Sequence, residues 1–257
     1  MSLIARVDMN KPWYKGRFTM KFLNVLALAS TAAAFPTLSE TAISDVNVRD
    51  LEAGELNARQ LSGTVGITAK EFTQGGCKDV IMLFARGSTE VGNMGTVCGP
   101  PTANKVKADF SSVAVEGVDY AAGLATNALP GGADLQGIAE MKRLIAKVNS
   151  DCPDSKLVVG GYSQGAALTH RAVEDLPQAQ KDQIVAAFTF GDTQNTQDKG
   201  QIPNFPQEKT KIICAAGDAV CKGTLVILPA HLSYGANAGE AADFISQKLT
   251  AAGAKRR

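Results

Sequence analysis

The stretch that most narrows what this chain can fold into is Lys156-Leu157-Val158-Val159-Gly160-Gly161-Tyr162-Ser163-Gln164-Gly165. A short strand over residues 156–159, apolar from Leu157 onward, enters a glycine-rich turn. A helical stretch over 164–176 leaves it and is stopped by Pro177. Residues 161–165 fit the pattern G-x-S-x-G, which puts a serine on a sharp strand-to-helix turn with its hydroxyl above the sheet. Glycines two positions either side of Ser163 remove the Cβ atoms that would collide with the adjoining strand and helix. The N–H of Gln164 opens the helix, where it faces developing negative charge. The pattern also occurs in plain turns; here the strand before it and the helix after it give it meaning.

The surroundings follow the same alternation. Val80-Ile81-Met82-Leu83-Phe84-Ala85 is a continuous apolar run that ends in Arg86-Gly87-Ser88, as expected of a strand buried on both faces. Pro100-Pro101 introduces a helix over 102–110, and a strand is predicted over 113–120. A turn over 127–132 precedes an amphipathic helix over 133–148, with Leu135, Ile138, Met141, Leu144, Ile145 and Val148 on one face. Strands over 184–190 and 211–215 and a helix over 241–249 complete the series. This order predicts a single α/β domain with a mostly parallel central sheet, right-handed crossovers and helices on both faces. A hydrophobic content of 45% supplies one sizeable core and argues against a disordered chain. The 26 Lys/Arg and 25 Asp/Glu leave a net charge of +1, so electrostatics give no reason to expect nucleic acid or an anionic membrane as partner. A neutral, greasy or solid substrate is compatible.

Met20-Lys21, the apolar run over 22–29 and the small residues to Ala34 make a secretory signal over residues 1–34, with Met20 the natural beginning. The run is too short for a membrane span, which needs roughly 20 residues. Residues 35–59 read as a pro-segment ending at Arg59, or as a flexible arm. The folded domain is expected over 60–257. Five cysteines in a secreted chain favour disulfides. No pair has zinc-knuckle spacing and only two histidines exist, which argues against a metal. Cys214 and Cys221 are close enough to staple a local loop.

A serine nucleophile needs a base, and only His170 and His231 are present. His170 lies about two turns along the helix after Ser163, roughly 10 Å from it, and reads as a surface or helix-packing residue. His231 follows Leu225-Val226-Ile227-Leu228 in a loop and is downstream of the serine, as the order Ser, Asp, His requires. Elimination selects it. For the orienting acid, Asp192 and Asp218 compete, each after a strand. Asp218 lies nearer His231 and inside the Cys214–Cys221 segment, where a bridge would hold it still, so it is favoured. Asp175 and Asp182 read as solvated helix-end residues. The loop Arg86-Gly87-Ser88-Thr89-Glu90 stands where a second oxyanion donor belongs; from spacing alone, Ser88 is level with an ordinary turn serine.

Residues 85–90, 160–166, and Gly217-Asp218-Ala219-Val220-Cys221 with His231-Leu232-Ser233-Tyr234-Gly235 resemble the fungal cutinases, in the group that also holds acetylxylan esterases. The resemblance runs from about residue 76 to the C-terminus, and Ala58-Arg59-Gln60-Leu61 is similar to the family's pro-segment boundary. It implies an α/β-hydrolase fold with no substantial lid and a triad of Ser163, Asp218 and His231. It also implies an oxyanion hole from Ser88 and Gln164, with Asn127 supporting Ser88. Leu124, Leu225 and Ile227 would line the acyl groove. Cys77–Cys152 and Cys214–Cys221 would be the bridges, worth about 4–5 and 2–3 kcal/mol by loop entropy. The implied protein is a secreted monomer that hydrolyses esters of cutin or another insoluble polyester without metal or organic cofactor. Acetylxylan esterase is the alternative activity, and a non-catalytic secreted elicitor or binding protein the alternative class. Two departures stand out: Ala230 separates Pro229 from His231, where the family puts proline directly before the histidine, and Cys98 has no partner.

Overall fold

The computed structural model describes residues 63–257. The signal and pro-segment expectations over 1–34 and 35–59, with Met20 and Arg59, lie outside the described residues. Five strands form one sheet: β1 (Val80–Ala85), β2 (Val113–Gly117), β3 (Lys156–Tyr162), β4 (Ile184–Phe190) and β5 (Thr210–Ile213). Their spatial order is β2-β1-β3-β4-β5 and every neighbouring pair is parallel. The register sets Ala85 beside Gly161 and Tyr162 beside Phe190, so the strands reach the site edge together.

Alternation along the strands divides the core into two layers. Val80, Met82 and Phe84 pack with Val158, Phe188 and Phe190 on one face. There they meet α2 (Gly99–Asp109), through Ala103 and Val106, and α6 (Ala238–Ala251), through Ala241, Ile245 and Leu249. Ile81, Leu83 and Ala85 pack with Leu157 and Val159 on the other. That face is covered by α3 (Leu135–Asp151), through Met141, Leu144, Ile145 and Val148, and α4 (Gln164–Val173), through Leu168, Ala172 and Val173. β1 is apolar and buried along its whole length because both of its faces are covered. Asp134 starts α3 by accepting hydrogen bonds from the N–H groups of Gln136 and Gly137.

The differences from the expected elements have local causes. β2 stops at Gly117 because the chain there crosses Asn93: a Cβ on Gly117 would sit 2.2 Å from Asn93 Oδ1. Asn93 donates to the Gly117 carbonyl, ending the run expected to residue 120. β5 ends at Ile213 because Cys214 begins a bridged loop. Two short helices, α1 (Glu71–Gly75) and α5 (Gln178–Gln183), have too few residues to show a helical period. Pro177, expected only to stop a helix, also caps the next. Cys77–Cys152 and Cys214–Cys221 are both bonded, and Cys98 is a free, buried thiol in the Phe84 layer. Among the described residues no helix is long and apolar enough to cross a membrane.

Candidate active site

Ser163 stands between β3 and α4 with φ +56° and ψ −116°, a conformation that β-carbon sterics disfavour by about 1–3 kcal/mol. The flanking glycines explain how the turn closes. A Cβ on Gly161 would lie 2.0 Å from the Gly165 carbonyl oxygen, and one on Gly165 would lie 2.0 Å from that of Ala85. The Ser163 N–H donates to the Phe190 carbonyl at 2.9 Å, tying the turn to the end of β4.

His231 comes to this serine from a 3-10 turn over Pro229–Leu232. Its Nε2 is 3.0 Å from Ser163 Oγ, and its Nδ1 is 2.9 Å from Asp218 Oδ2. A carboxylate accepts only, so Nδ1 carries the hydrogen and the Nε2 lone pair faces the hydroxyl. Asp218 takes two more hydrogen bonds, from Tyr234 Oη at 2.7 Å and from the Val220 N–H at 2.9 Å. Burial alone would raise its pKa; the bonds from His231, Tyr234 and Val220 outweigh burial and hold it below the ordinary aspartate value. Tyr162, the residue before the serine, donates from its hydroxyl to the His231 carbonyl at 2.7 Å. Neither tyrosine contact has a sequence signature of its own. Tyr162 lies inside the G-x-S-x-G motif and Tyr234 three residues after His231, and that proximity is the only signal either offers.

The Cys214–Cys221 bridge encloses Asp218, and Asn195 Nδ2 and Thr196 Oγ1 donate to the Cys221 carbonyl from outside. Asn127 Nδ2 donates to Ser88 Oγ at 2.9 Å, so that hydroxyl accepts there and its own hydrogen is free for another partner. Gln164 Nε2 holds the Gly123 carbonyl at 2.8 Å, and Gly123 leads into the Leu124–Ala128 turn that carries Asn127. Ser88, Leu124, Asn127, Leu225 and Ile227 come together with Ser163 and His231 around a groove of about 340 Å³. Thr89, Thr193, Val220 and Leu232 also line it, unforeseen from the sequence. Two larger hollows, of about 470 and 550 Å³, lie beside Lys107 and Arg257 and beside Asp243 and Arg256. Neither touches the serine, so size does not choose the site.

The groove rim is aliphatic and open. Leu124 is 67% exposed, Leu225 57%, Ile227 53% and Leu232 61%, and all four line the same groove beside the serine, forming one apolar patch. Between Gly191 and Asn237 the residues that line the groove lie in loops or short 3-10 turns. No group of three or more His, Cys, Asp or Glu among the described residues is arranged to hold a metal ion.

Asp192, the rival acid, points away from His231. Its Oδ2 is 2.8 Å from His170 Nε2, and Asp198 Oδ2 is 2.7 Å from His170 Nδ1. His170 is therefore no surface residue. It is fully buried between two carboxylates, because α4 turns that face toward the loop after β4.

A parallel α/β sheet with a serine on such an elbow, bonded to a histidine that is bonded to an aspartate, defines a serine hydrolase of the α/β type. The cutinase family model matches residues 76–249. The chain is 49% identical over 224 residues to cutinase CUT2 of Pyricularia oryzae, covering 86% of this chain and 95% of that protein. It is 44% identical to cutinase 2 of Fusarium vanettenii, covering 90% and 98%. Among solved structures, the Trichoderma reesei cutinase in complex with a phosphonate inhibitor matches with TM-score 0.64 and 33% identity, covering 79% of this chain and 93% of that one. An acetylxylan esterase shares the fold at TM-score 0.56 and 22% identity, covering 67% and 99%. The chain belongs to the cutinase family and is a carboxylic ester hydrolase.

Proposed function

We propose that this protein is a secreted esterase that hydrolyses cutin and short-to-medium-chain esters through an acyl-enzyme on Ser163. Ser163 Oγ attacks the ester carbonyl carbon while His231 Nε2 takes its proton, and Asp218 steadies the imidazolium that forms. The N–H groups of Ser88 and Gln164, with the Ser88 hydroxyl, receive the oxyanion. His231 then returns the proton to the leaving alcohol. Water, deprotonated by the same nitrogen, attacks the acyl-enzyme and releases the carboxylic acid.

The observation that carries this reading is the 3.0 Å Ser163–His231 contact at the floor of an aliphatic groove. The exposed rim of Leu124, Leu225, Ile227 and Leu232 favours a greasy polymer over an acetylated sugar, whose acyl group has no use for that surface. Secretion is supported by the two disulfides, which reducing compartments do not sustain. N-terminal sequencing of the exported protein tests the signal and the pro-segment boundary near Arg59.

Hydrolysis of a graded p-nitrophenyl ester series and of cutin, by wild type and Ser163→Ala, tests the chemistry. Activity on butyrate and longer chains and on cutin, lost in the variant, is expected. Activity confined to acetate would overturn the cutin assignment, and an unchanged Ser163→Ala would overturn the mechanism.

A further inference from the structure

We infer that His170 is a positioning residue for ester hydrolysis: bridged between Asp192 and Asp198, it pins residues 190–198 against α4, and that segment shapes the surroundings of all three members of the site. The inference rests on the serine mechanism proposed above.

Each member meets the segment directly or through its own loop. The Phe190 carbonyl receives the Ser163 N–H. Gly191, at φ +52°, lies against the His231 ring so closely that a Cβ there would be 2.7 Å from its Cε1. Thr193 lines the groove beside Ser163. Asn195 and Thr196 hold the Cys221 carbonyl, the far end of the bridged loop that contains Asp218.

His170 is well placed to hold this segment. It lies in the helix that leaves the elbow, and both ring nitrogens contact carboxylates. Two acceptors require two donors, so the ring is an imidazolium; a neutral ring would set a lone pair against one of the aspartates. The other charged groups facing it are Arg171, which bonds Asp198 and pairs with Glu174, and Glu174 itself. Asp192 is further held by the Thr189 hydroxyl at 2.7 Å and the Gln194 N–H at 2.8 Å. Burial lowers the His170 pKa, but the charge and hydrogen bond of Asp192, followed by those of Asp198, raise it to about 9. Above that pH one of the two ties is lost.

The test is the pH dependence of kcat on soluble p-nitrophenyl butyrate, with spontaneous hydrolysis subtracted, for wild type, His170→Gln and Asp198→Asn. In wild type a reversible fall in kcat near pH 9 is expected. In Asp198→Asn, where one carboxylate no longer favours the imidazolium, the fall should move at least about one pH unit lower. In His170→Gln the fall should be absent and kcat should be lower at neutral pH by about tenfold, with KM unchanged. A wild-type profile flat to pH 10, identical profiles in wild type and Asp198→Asn, or a His170→Gln enzyme with wild-type kcat would each overturn the inference. Should His170→Gln fail to fold, the wild-type and Asp198→Asn profiles decide alone. Loss of activity in Ser163→Ala with no effect at His170 would defeat this inference and leave the serine mechanism standing; activity retained in Ser163→Ala would defeat the mechanism itself.

Discussion

His231 and His170 are both buried and both bonded to an aspartate, yet they differ in what faces the second ring nitrogen. At His231 it is a serine hydroxyl, 3.0 Å away; at His170 it is a second carboxylate, 2.7 Å away. The first ring keeps a lone pair directed at a weak acid, the arrangement a general base needs. The second has no lone pair to offer and holds its proton across the neutral range. A histidine–aspartate pair is therefore no mark of catalysis. The partner on the other nitrogen decides whether the ring moves a proton or stores one.

Replacing either ring by an amide separates the two roles. His231→Gln should lower kcat by about 10⁴-fold or more with the fold intact, by active-site titration against near-UV circular dichroism. His170→Gln should cost about a thousandth of that in rate.

The two aspartates sharpen the contrast. Asp218→Asn should reduce kcat by about 10⁴-fold, because an amide at that position favours the wrong tautomer of His231. Asp192→Asn should instead act mainly on stability, by about 3–5 kcal/mol in urea unfolding, since it leaves a buried imidazolium short of its counter-charge. Equal kinetic losses in the two variants would mean that both aspartates serve one site.

Smaller effects belong to the supports. Asn127→Ala should reduce kcat by about 10- to 100-fold with KM little changed, because it frees the Ser88 hydroxyl to rotate away from the position proposed for the oxyanion. Unchanged kcat would remove Asn127 from that role.

Tyr234→Phe deletes one of three hydrogen bonds to Asp218 and should destabilise the protein by about 1–2 kcal/mol, read as a lowered urea midpoint. Stability should also respond to pH at His170. Its folded pKa is raised above the free value of about 6.5, so its contribution is complete below that pH and is lost as pH rises through about 9. Asp218 carries the opposite sign: its lowered pKa gives stability that is present above about pH 3.9 and fades as acid protonates the folded carboxylate. Urea midpoints across both pH ranges check these directions.

The elbow, the strand–helix alternation and the serine–histidine pair are legible in the amino-acid order alone. These are local or enumerable properties. Steric demands on residues 161–165 are met by their own glycines, and with two histidines the serine's partner follows by elimination. The choice between Asp218 and Asp192 was only weighted by sequence, since each ends a strand. Which of the two meets His231 depends on tertiary contacts: β5 delivers the bridged loop to that ring, while the loop after β4 folds back onto α4. The burial of His170 and the reach of Tyr162 and Tyr234 were likewise settled only in three dimensions. A helix period says which residues share a face, but which carboxylate stands opposite depends on contacts tens of residues away, and no local pattern encodes them.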